Sequence, residues 1–284
     1  SGDAFFCGSL AEPMSCVIGG AHASYHTKSG SYVHEMGIRE GGKLALLAGA
    51  GPMGLGMVDY IVHCDRKPSL VIVTDIDSAR LSRAASILPP SEAERHGVKL
   101  MYVNTTNFED PIAFMRRFAP DGFDDVFVYA PVKPVIEMGD RLLGRDGCLN
   151  FFAGPTKTDF RAELNFYNVH YASTHIVGTS GGNTDDMREA LRMMEDGRLN
   201  PAAMITHVCG LDAVADVTLN LDKIPGGKKL CYTNISLPLT AISDLEKLGK
   251  TDPLMRALAE ICGRHGGLWS AEAEKFLLEN AKPI

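Results

Sequence analysis

The chain has 284 residues, 45% hydrophobic and 22% charged, with 29 Gly, 15 Pro and a single Trp. That composition builds a core, excludes a disordered chain and allows one large domain or two smaller ones. The net charge of -7, with Lys and Arg clustered no further than Lys228-Lys229 or Arg116-Arg117, excludes a general nucleic-acid binder.

No apolar run approaches the ~20 residues that cross a bilayer. No charged-then-apolar leader opens the sequence either. The expected setting is cytoplasmic, without membrane contact, and the expected partners are small molecules or other proteins. The seven cysteines (Cys7, Cys16, Cys64, Cys148, Cys209, Cys231, Cys262) are odd in number, scattered and without a C-x-x-C pair. They read as reduced thiols, with Cys148 and Cys231 as buried small hydrophobes in apolar runs.

Taken in chain order, residues 1–42 hold a helix from Pro13 to Ala23 and then a polar, Gly/Ser-bearing linker from His26 to Gly42. Short apolar runs then alternate with segments of helical period. The expected strands are Leu44 to Ala48, Leu70 to Asp75, Leu100 to Val103, Val126 to Tyr129, Cys148 to Ala153 and His175 to Gly178. Most are apolar on both faces, as strands covered on both sides should be. Expected helices lie near 53–65, 78–88, 109–118, 134–143 and 184–196. For the last, Asn183 or Thr184 serves as cap, Met187, Ala190, Leu191 and Met194 form the apolar stripe, and Gly197 is the stop.

Such alternation predicts an α/β fold: a Rossmann-type doubly wound parallel sheet with helices on both faces, over residues 43–198. Residues 199–238 read as a return segment with a strand (Ile205 to Cys209), a helix (Leu211 to Leu221) and a last strand (Leu230 to Ile235). Residues 239–284 read as a C-terminal helical extension.

The sharpest motif is Gly49-Ala50-Gly51-Pro52-Met53-Gly54, a G-x-G-x-x-G directly after an apolar strand and at a helix start. Gly49 permits the tight turn, Gly51 lets backbone approach a pyrophosphate, and Gly54 lets helix pack against sheet. The helix start presents free N–H groups and a positive dipole end to phosphates, and Pro52 costs nothing in a first turn. The next strand ends in Asp75, 21 residues after Gly54, where a carboxylate accepts from the adenosine ribose hydroxyls. Asp75 and Asp77 favour NAD over NADP. Arg80, which accommodates a 2′-phosphate in other sheets, is expected to pair with Asp77 at i, i+3. A methyltransferase sheet, or a glycine turn serving packing alone, are the competing readings.

Glu12 to Cys16, Gly49 to Leu55, Val73 to Asp75, Ile176 to Gly178, Gly197 to Pro201 and Thr206-His207 form an ordered series. Over roughly residues 10–238 it resembles the medium-chain zinc-type alcohol and polyol dehydrogenases. It is most similar to their sorbitol dehydrogenase and sugar-phosphate reductase branch, of the L-sorbose-1-phosphate reductase type. The resemblance implies an NAD(P)-dependent oxidoreductase acting on a secondary alcohol or ketone of a polyol or sugar phosphate. It also implies a homodimer or homotetramer paired through the edge strand His175 to Gly178.

The resemblance further implies a catalytic zinc, held in a first domain that the chain does not match. His34-Glu35 lacks the Gly of the family's Gly-His-Glu motif and reads as a surface pair. The chain is therefore expected to be the cofactor-binding portion of a longer enzyme. Glu12 corresponds to a glutamate near that zinc; the alternative is that it caps the helix starting at Pro13. His175 and His207 read as edge or core histidines. Lys133 reads as a substrate contact or a solvated loop lysine, and Ser180-Gly181-Gly182 as a nicotinamide neighbour or a plain turn. A free-standing dinucleotide-binding module without catalysis is the second function carried forward.

Overall fold

The computed structural model describes residues 4–284, so residues 1–3 of the expected 1–42 segment lie outside the described residues. In chain order the first elements are α1 (Phe5–Ala23), β1 (Tyr25–Thr27), β2 (His34–Met36), β3 (Lys43–Leu47) and α2 (Pro52–His63). Then come β4 (Leu70–Asp75), α3 (Ser78–Ile87), α4 (Pro90–Arg95), β5 (Lys99–Asn104), α5 (Pro111–Arg116), β6 (Phe123–Val128) and α6 (Lys133–Leu142). β7 (Leu143–Phe151), α7 (Phe166–Tyr171), β8 (His175–Gly178) and α8 (Thr184–Glu195) complete the alternation. Two compact units divide the described chain: residues 12–193, and residues 4–11 with 194–284.

In the first unit six strands form one sheet in the order β5-β4-β3-β6-β7-β8, every neighbouring pair parallel. Counted from β3, that is 3-2-1-4-5-6, the order of a dinucleotide-binding sheet. The order follows from the side chains. Ala45, Leu47, Ile72, Val126 and Val128 enter one core with Ile136 and Leu142 of α6. Their alternates Leu44, Leu46, Val71, Val73 and Phe127 are equally buried. A strand buried on both faces cannot alternate in polarity, and each fully buried aliphatic contributes about 1.5–3 kcal/mol. β5 and β8 are the edges, as the expected edge role of His175 to Gly178 requires.

The amino ends of the sheet are tied by buried charge. His26 Nε2 lies 3.2 Å from Asp125 Oδ1, and its Nδ1 lies 3.0 Å from the Asp146 carbonyl. Asp146 also accepts from Thr27 and from His175 Nε2 at 2.7 Å. Burial opposes charge on His26, but its hydrogen bond to the Asp125 carboxylate and that negative charge outweigh it and hold the imidazole above its ordinary range. A histidine raised in the folded state contributes stability fully below its unfolded pKa, near 6.5, and loses it as pH climbs through the folded value. Urea midpoints of wild type minus His26→Gln should therefore shrink from about pH 6 upward. A pH-independent difference would overturn this account.

Four expectations are corrected. The first helix begins at Phe5, not Pro13, so Pro13 lies inside it. The 26–42 linker contains the antiparallel hairpin of β1 and β2. On α8 the buried face is Asp186, Ala190 and Met193, with Leu191 43% exposed. The face turns because Asp186 receives the amide of Asn183 and pairs with His22. Asn183 is the cap, and Gly197 stops the segment at φ +70. Cys148 is buried as expected, but Cys231 is only half-buried; all seven cysteines are free thiols.

The second unit holds β9 (Ile205–Gly210), α9 (Val214–Leu219), β10 (Lys228–Tyr232), β11 (Ile235–Ser236) and β12 (Thr240–Ala241). It continues through α10 (Leu245–Leu248), α11 (Pro253–Arg264), α12 (Ala271–Asn280) and β13 (Lys282–Pro283). β9 is central, parallel to β10 and antiparallel to β12. The expected helix over 211–221 is broken into a short α-helix flanked by 3-10 turns. The return segment and the C-terminal helices share one core, which includes Ile205, Val208, Leu230, Leu258, Trp269 and Leu277. Among the described residues no helix is long and apolar enough to cross a membrane.

Candidate functional site

The carboxyl ends of β3 and β4 carry the motif residues, all within one unit. β3 ends at Leu47, and Ala48 turns the chain at φ +53. The left-handed residue of this loop is thus Ala48, not one of the three glycines. Gly49 is required for space: a Cβ there would lie 2.8 Å from Leu46 Cβ. Its amide donates to the Thr74 carbonyl at 2.8 Å, fixing the loop to β4. Gly54 is tighter still, since a Cβ would meet the Gly49 carbonyl oxygen at 2.0 Å. The helix start is folded directly onto the loop there.

Gly51 differs from both. A Cβ on it would meet nothing within 4 Å. It is the N-cap of α2 in extended geometry, with no side chain capping the helix and Pro52 in the first turn. Open space thus faces an N-terminus with no side chain bonded to its free N–H groups, at the positive end of a 12-residue helix. Such a helix start is chemically suited to an anion.

Asp75 ends β4 and is 8% exposed. Its Oδ1 accepts from the amides of Ile76 and Asp77, at 2.8 and 3.1 Å, which fixes the carboxylate at the strand end. Asp77 acts locally, its Oδ1 capping α3 by accepting from the Ala79 and Arg80 amides. Its Oδ2 lies 3.6 Å from Arg80 Nε, the expected i, i+3 pair, and the Arg80 side chain is 56% exposed. Gly49, Gly51, Pro52, Met53, Gly54 and Asp75 therefore lie on adjacent strand ends, with Arg80 one helical turn beyond.

Asn104 escapes sequence reasoning. It pairs in register with Asp75 across β4 and β5, and its Nδ2 donates to Ser78 Oγ at 2.7 Å. A strand-end asparagine followed by Thr105 and Thr106 is the signal that could flag it. Tyr129 escapes it as well. Its hydroxyl is buried with no hydrogen-bond partner just past the end of β6, and burial pushes its pKa well above the ordinary phenol value.

Other candidates have structural roles. Lys133 opens α6 and binds Glu163 at 2.9 Å, with Glu137 3.5 Å away. Gly182 is pressed on the Ser15 carbonyl, so the Ser180 to Gly182 turn is a packing element. His175 bonds Asp146, and His207 bonds Thr206 at 2.9 Å. Glu35 pairs with Lys28 on the surface, and His34 stacks on Tyr25. Glu12 caps nothing: it is exposed inside α1, where its Oε1 accepts weakly from Cys16 Sγ at 3.2 Å. Zinc takes four ligands, and Glu12 with Cys16 offers two. The described residues around Glu12 therefore do not fit a zinc ion.

No family model matches the chain. It is 56% identical over 272 residues to mannitol-1-phosphate 5-dehydrogenase of Aliivibrio fischeri, covering 95% of this chain and 64% of that protein. It is 46% identical over 283 residues to L-sorbose 1-phosphate reductase of Klebsiella pneumoniae, covering 100% of the chain and 66% of the relative. The uncharacterized protein YggP of Escherichia coli is 53% identical, over 98% of the chain and 65% of its own length. The chain thus spans just under two-thirds of these curated relatives. Among solved structures, 2R,3R-butanediol dehydrogenase from Bacillus subtilis superposes with a TM-score of 0.61 at 19% identity, over 80% of this chain and 57% of that one. A zinc-binding dehydrogenase of Sinorhizobium meliloti bound to NADP gives 0.60 at 18%, over 80% and 59%. With homologues among the sugar-phosphate dehydrogenases and reductases, and with the sheet of the zinc-binding alcohol dehydrogenases, the chain is a relative of the polyol dehydrogenases.

Proposed function

We propose that the chain is the nicotinamide-dinucleotide-binding part of an oxidoreductase acting on a polyol or sugar phosphate. The observation that carries this is the open space over Gly51, facing the uncapped start of α2 with Asp75 fixed one strand away. The pyrophosphate would lie against the Gly51 backbone and the first turn of α2. The Asp75 carboxylate, held through Oδ1, would present Oδ2 to the adenosine ribose hydroxyls. The nicotinamide end would lie over the carboxyl ends of β3 and β6. When bound, the cofactor supplies the hydride acceptor or donor; the protein orients it and excludes water. The names of the relatives support the substrate class, and the NADP-bound neighbour supports a dinucleotide.

Within that reading NAD is favoured. Asp75 repels a 2′-phosphate, and the Arg80 that would welcome one lies beside Asp77. In calorimetry, NAD should bind wild type at least tenfold tighter than NADP. Asp75→Ser should lose roughly tenfold in NAD affinity, the order of one hydrogen bond to a charged group. Equal binding of both cofactors, or an unchanged affinity in the variant, would sink the assignment.

The second reading is a dinucleotide-binding module that performs no chemistry, which the same open helix start and strand-end carboxylate would serve equally. Zinc-dependent oxidation of a polyol phosphate by the 284-residue chain would eliminate it.

A further inference from the structure

A cluster apart from the glycine loop gathers at the far end of α2. His63 closes that helix, while Glu92 lies on α4 and His96 caps its end. One ligand atom from each lies within 4.8 Å of the other two. α2 has 12 residues. At 1.5 Å per residue the cluster is about 17 Å from the loop.

Three details fit these side chains to a metal ion. First, His63 Nδ1 faces two acceptors of Asp59, the carbonyl at 2.9 Å and Oδ1 at 3.0 Å. In the neutral ring that pairing puts the proton on Nδ1 and leaves the Nε2 lone pair for a metal ion. A buried carboxylate orienting a histidine through its other nitrogen is the usual outer support of a metal-bound imidazole. Asp59 is 4% exposed, so the ring has little freedom to turn.

Second, His96 Nε2 and Glu92 Oε1 are 3.3 Å apart, and the two residues are spaced i, i+4. Ligands at ~2.0–2.1 Å from a tetrahedral ion stand about 3.3 Å from one another. Third, Arg95 binds the other oxygen of Glu92, which fixes the carboxylate and leaves Oε1 for a ligand role. The His63 and His96 rings meet edge-on, with centroids 4.5 Å apart.

We propose that His63, Glu92 and His96 form a binding site for a divalent zinc-type ion, completed by water. Two imidazoles and one carboxylate with an open position suit zinc among the available metals. The ion would clip the end of α2 to α4. It therefore acts on the stability of this unit, not on the hydride chemistry proposed above, and it stands whether or not the dinucleotide reading does.

The test uses the 284-residue chain, stripped by chelator and titrated with zinc chloride in the absence of cofactor. Calorimetry should give one zinc per chain, and the melting temperature should rise with zinc. His96→Ala and Glu92→Gln, both at partly exposed positions, should each weaken zinc at least tenfold while circular dichroism stays unchanged. Asp59→Asn, which keeps the shape of the His63 support but removes its charge, should weaken it about tenfold as well. Cobalt substitution should give the visible absorption of a four-coordinate ion in wild type, and that band should vanish in His96→Ala. No uptake at millimolar zinc would overturn the proposal. So would full affinity in His96→Ala, or loss of zinc only in Glu12→Gln.

Discussion

Gly54→Ala should both destabilise the loop–helix junction and weaken the proposed dinucleotide binding, whereas Gly51→Ala should weaken binding alone. The contrast rests on what each new methyl group meets. At position 54 the Cβ falls 2.0 Å from the Gly49 carbonyl oxygen and 2.6 Å from its carbon, and both are backbone. Neither can swing aside like a side chain, so α2 must move outward. Overpacking of this kind costs about 1–3 kcal/mol, and a backbone obstacle places it at the upper end. For a unit of this size that lowers the melting temperature by several degrees.

At position 51 the Cβ enters empty space with φ at -80, so neither clash nor strain arises. Stability should be unchanged within about 0.5 kcal/mol, the range of an uncoupled surface substitution. The methyl group would, however, occupy the place proposed for the pyrophosphate, and dinucleotide affinity should fall at least tenfold. Thermal melts and calorimetry on the two variants separate the roles. A stable Gly54→Ala would refute the close approach, and full NAD affinity in Gly51→Ala would refute the phosphate site.

The sheet is legible in the sequence because its signal is local. Leu70 to Asp75 is buried at every position, and a run buried on both faces declares itself in six residues. The glycine spacing then identifies the first strand, and the strand order follows. Inside the loop the sequence is coarser. Spacing assigns the glycines to the turn, yet the positive φ sits on Ala48, and Gly49 and Gly54 are fixed by contact distance. Contact distance depends on where Leu46 and Gly49 end up in space, which spacing along the chain does not encode. Asp77 reads as part of a negative field because a cap and a field source look identical in sequence. Pro13 reads as a helix start because proline suits a first turn. The eight residues before it carry Phe6 and Leu10 into a core formed with residues beyond 200, and no local window contains that partner.

The same non-local partner makes Glu274 the position whose loss should be most damaging. The first amides of α1 have no intrahelical acceptor, and no acidic residue occupies that first turn. Instead Glu274, on α12, accepts from the Phe5 amide at 2.6 Å and the Phe6 amide at 2.9 Å. It also accepts from the Tyr232 hydroxyl at 2.6 Å, and that oxygen in turn accepts from Trp269 Nε1 at 2.8 Å. Glu274 is 1% exposed, so water cannot replace it. Burial, then Glu274, push the Tyr232 hydroxyl far above the ordinary phenol range, which keeps it a donor. Glu274→Ala would leave two buried donors, the Phe6 amide and the Tyr232 hydroxyl, and the part-buried Phe5 amide without an acceptor, each buried one costing about 1–3 kcal/mol. The expected loss is roughly 3 kcal/mol or more. Glu274→Gln keeps the shape but turns one oxygen into a donor, so about half that loss should follow. Trp269 is the single tryptophan of the chain and part of the network, so its fluorescence reads the unfolding of this unit directly. Urea midpoints ordered wild type, Gln, Ala would support the account. An alanine variant as stable as wild type would show that the amino end of α1 is not held by Glu274.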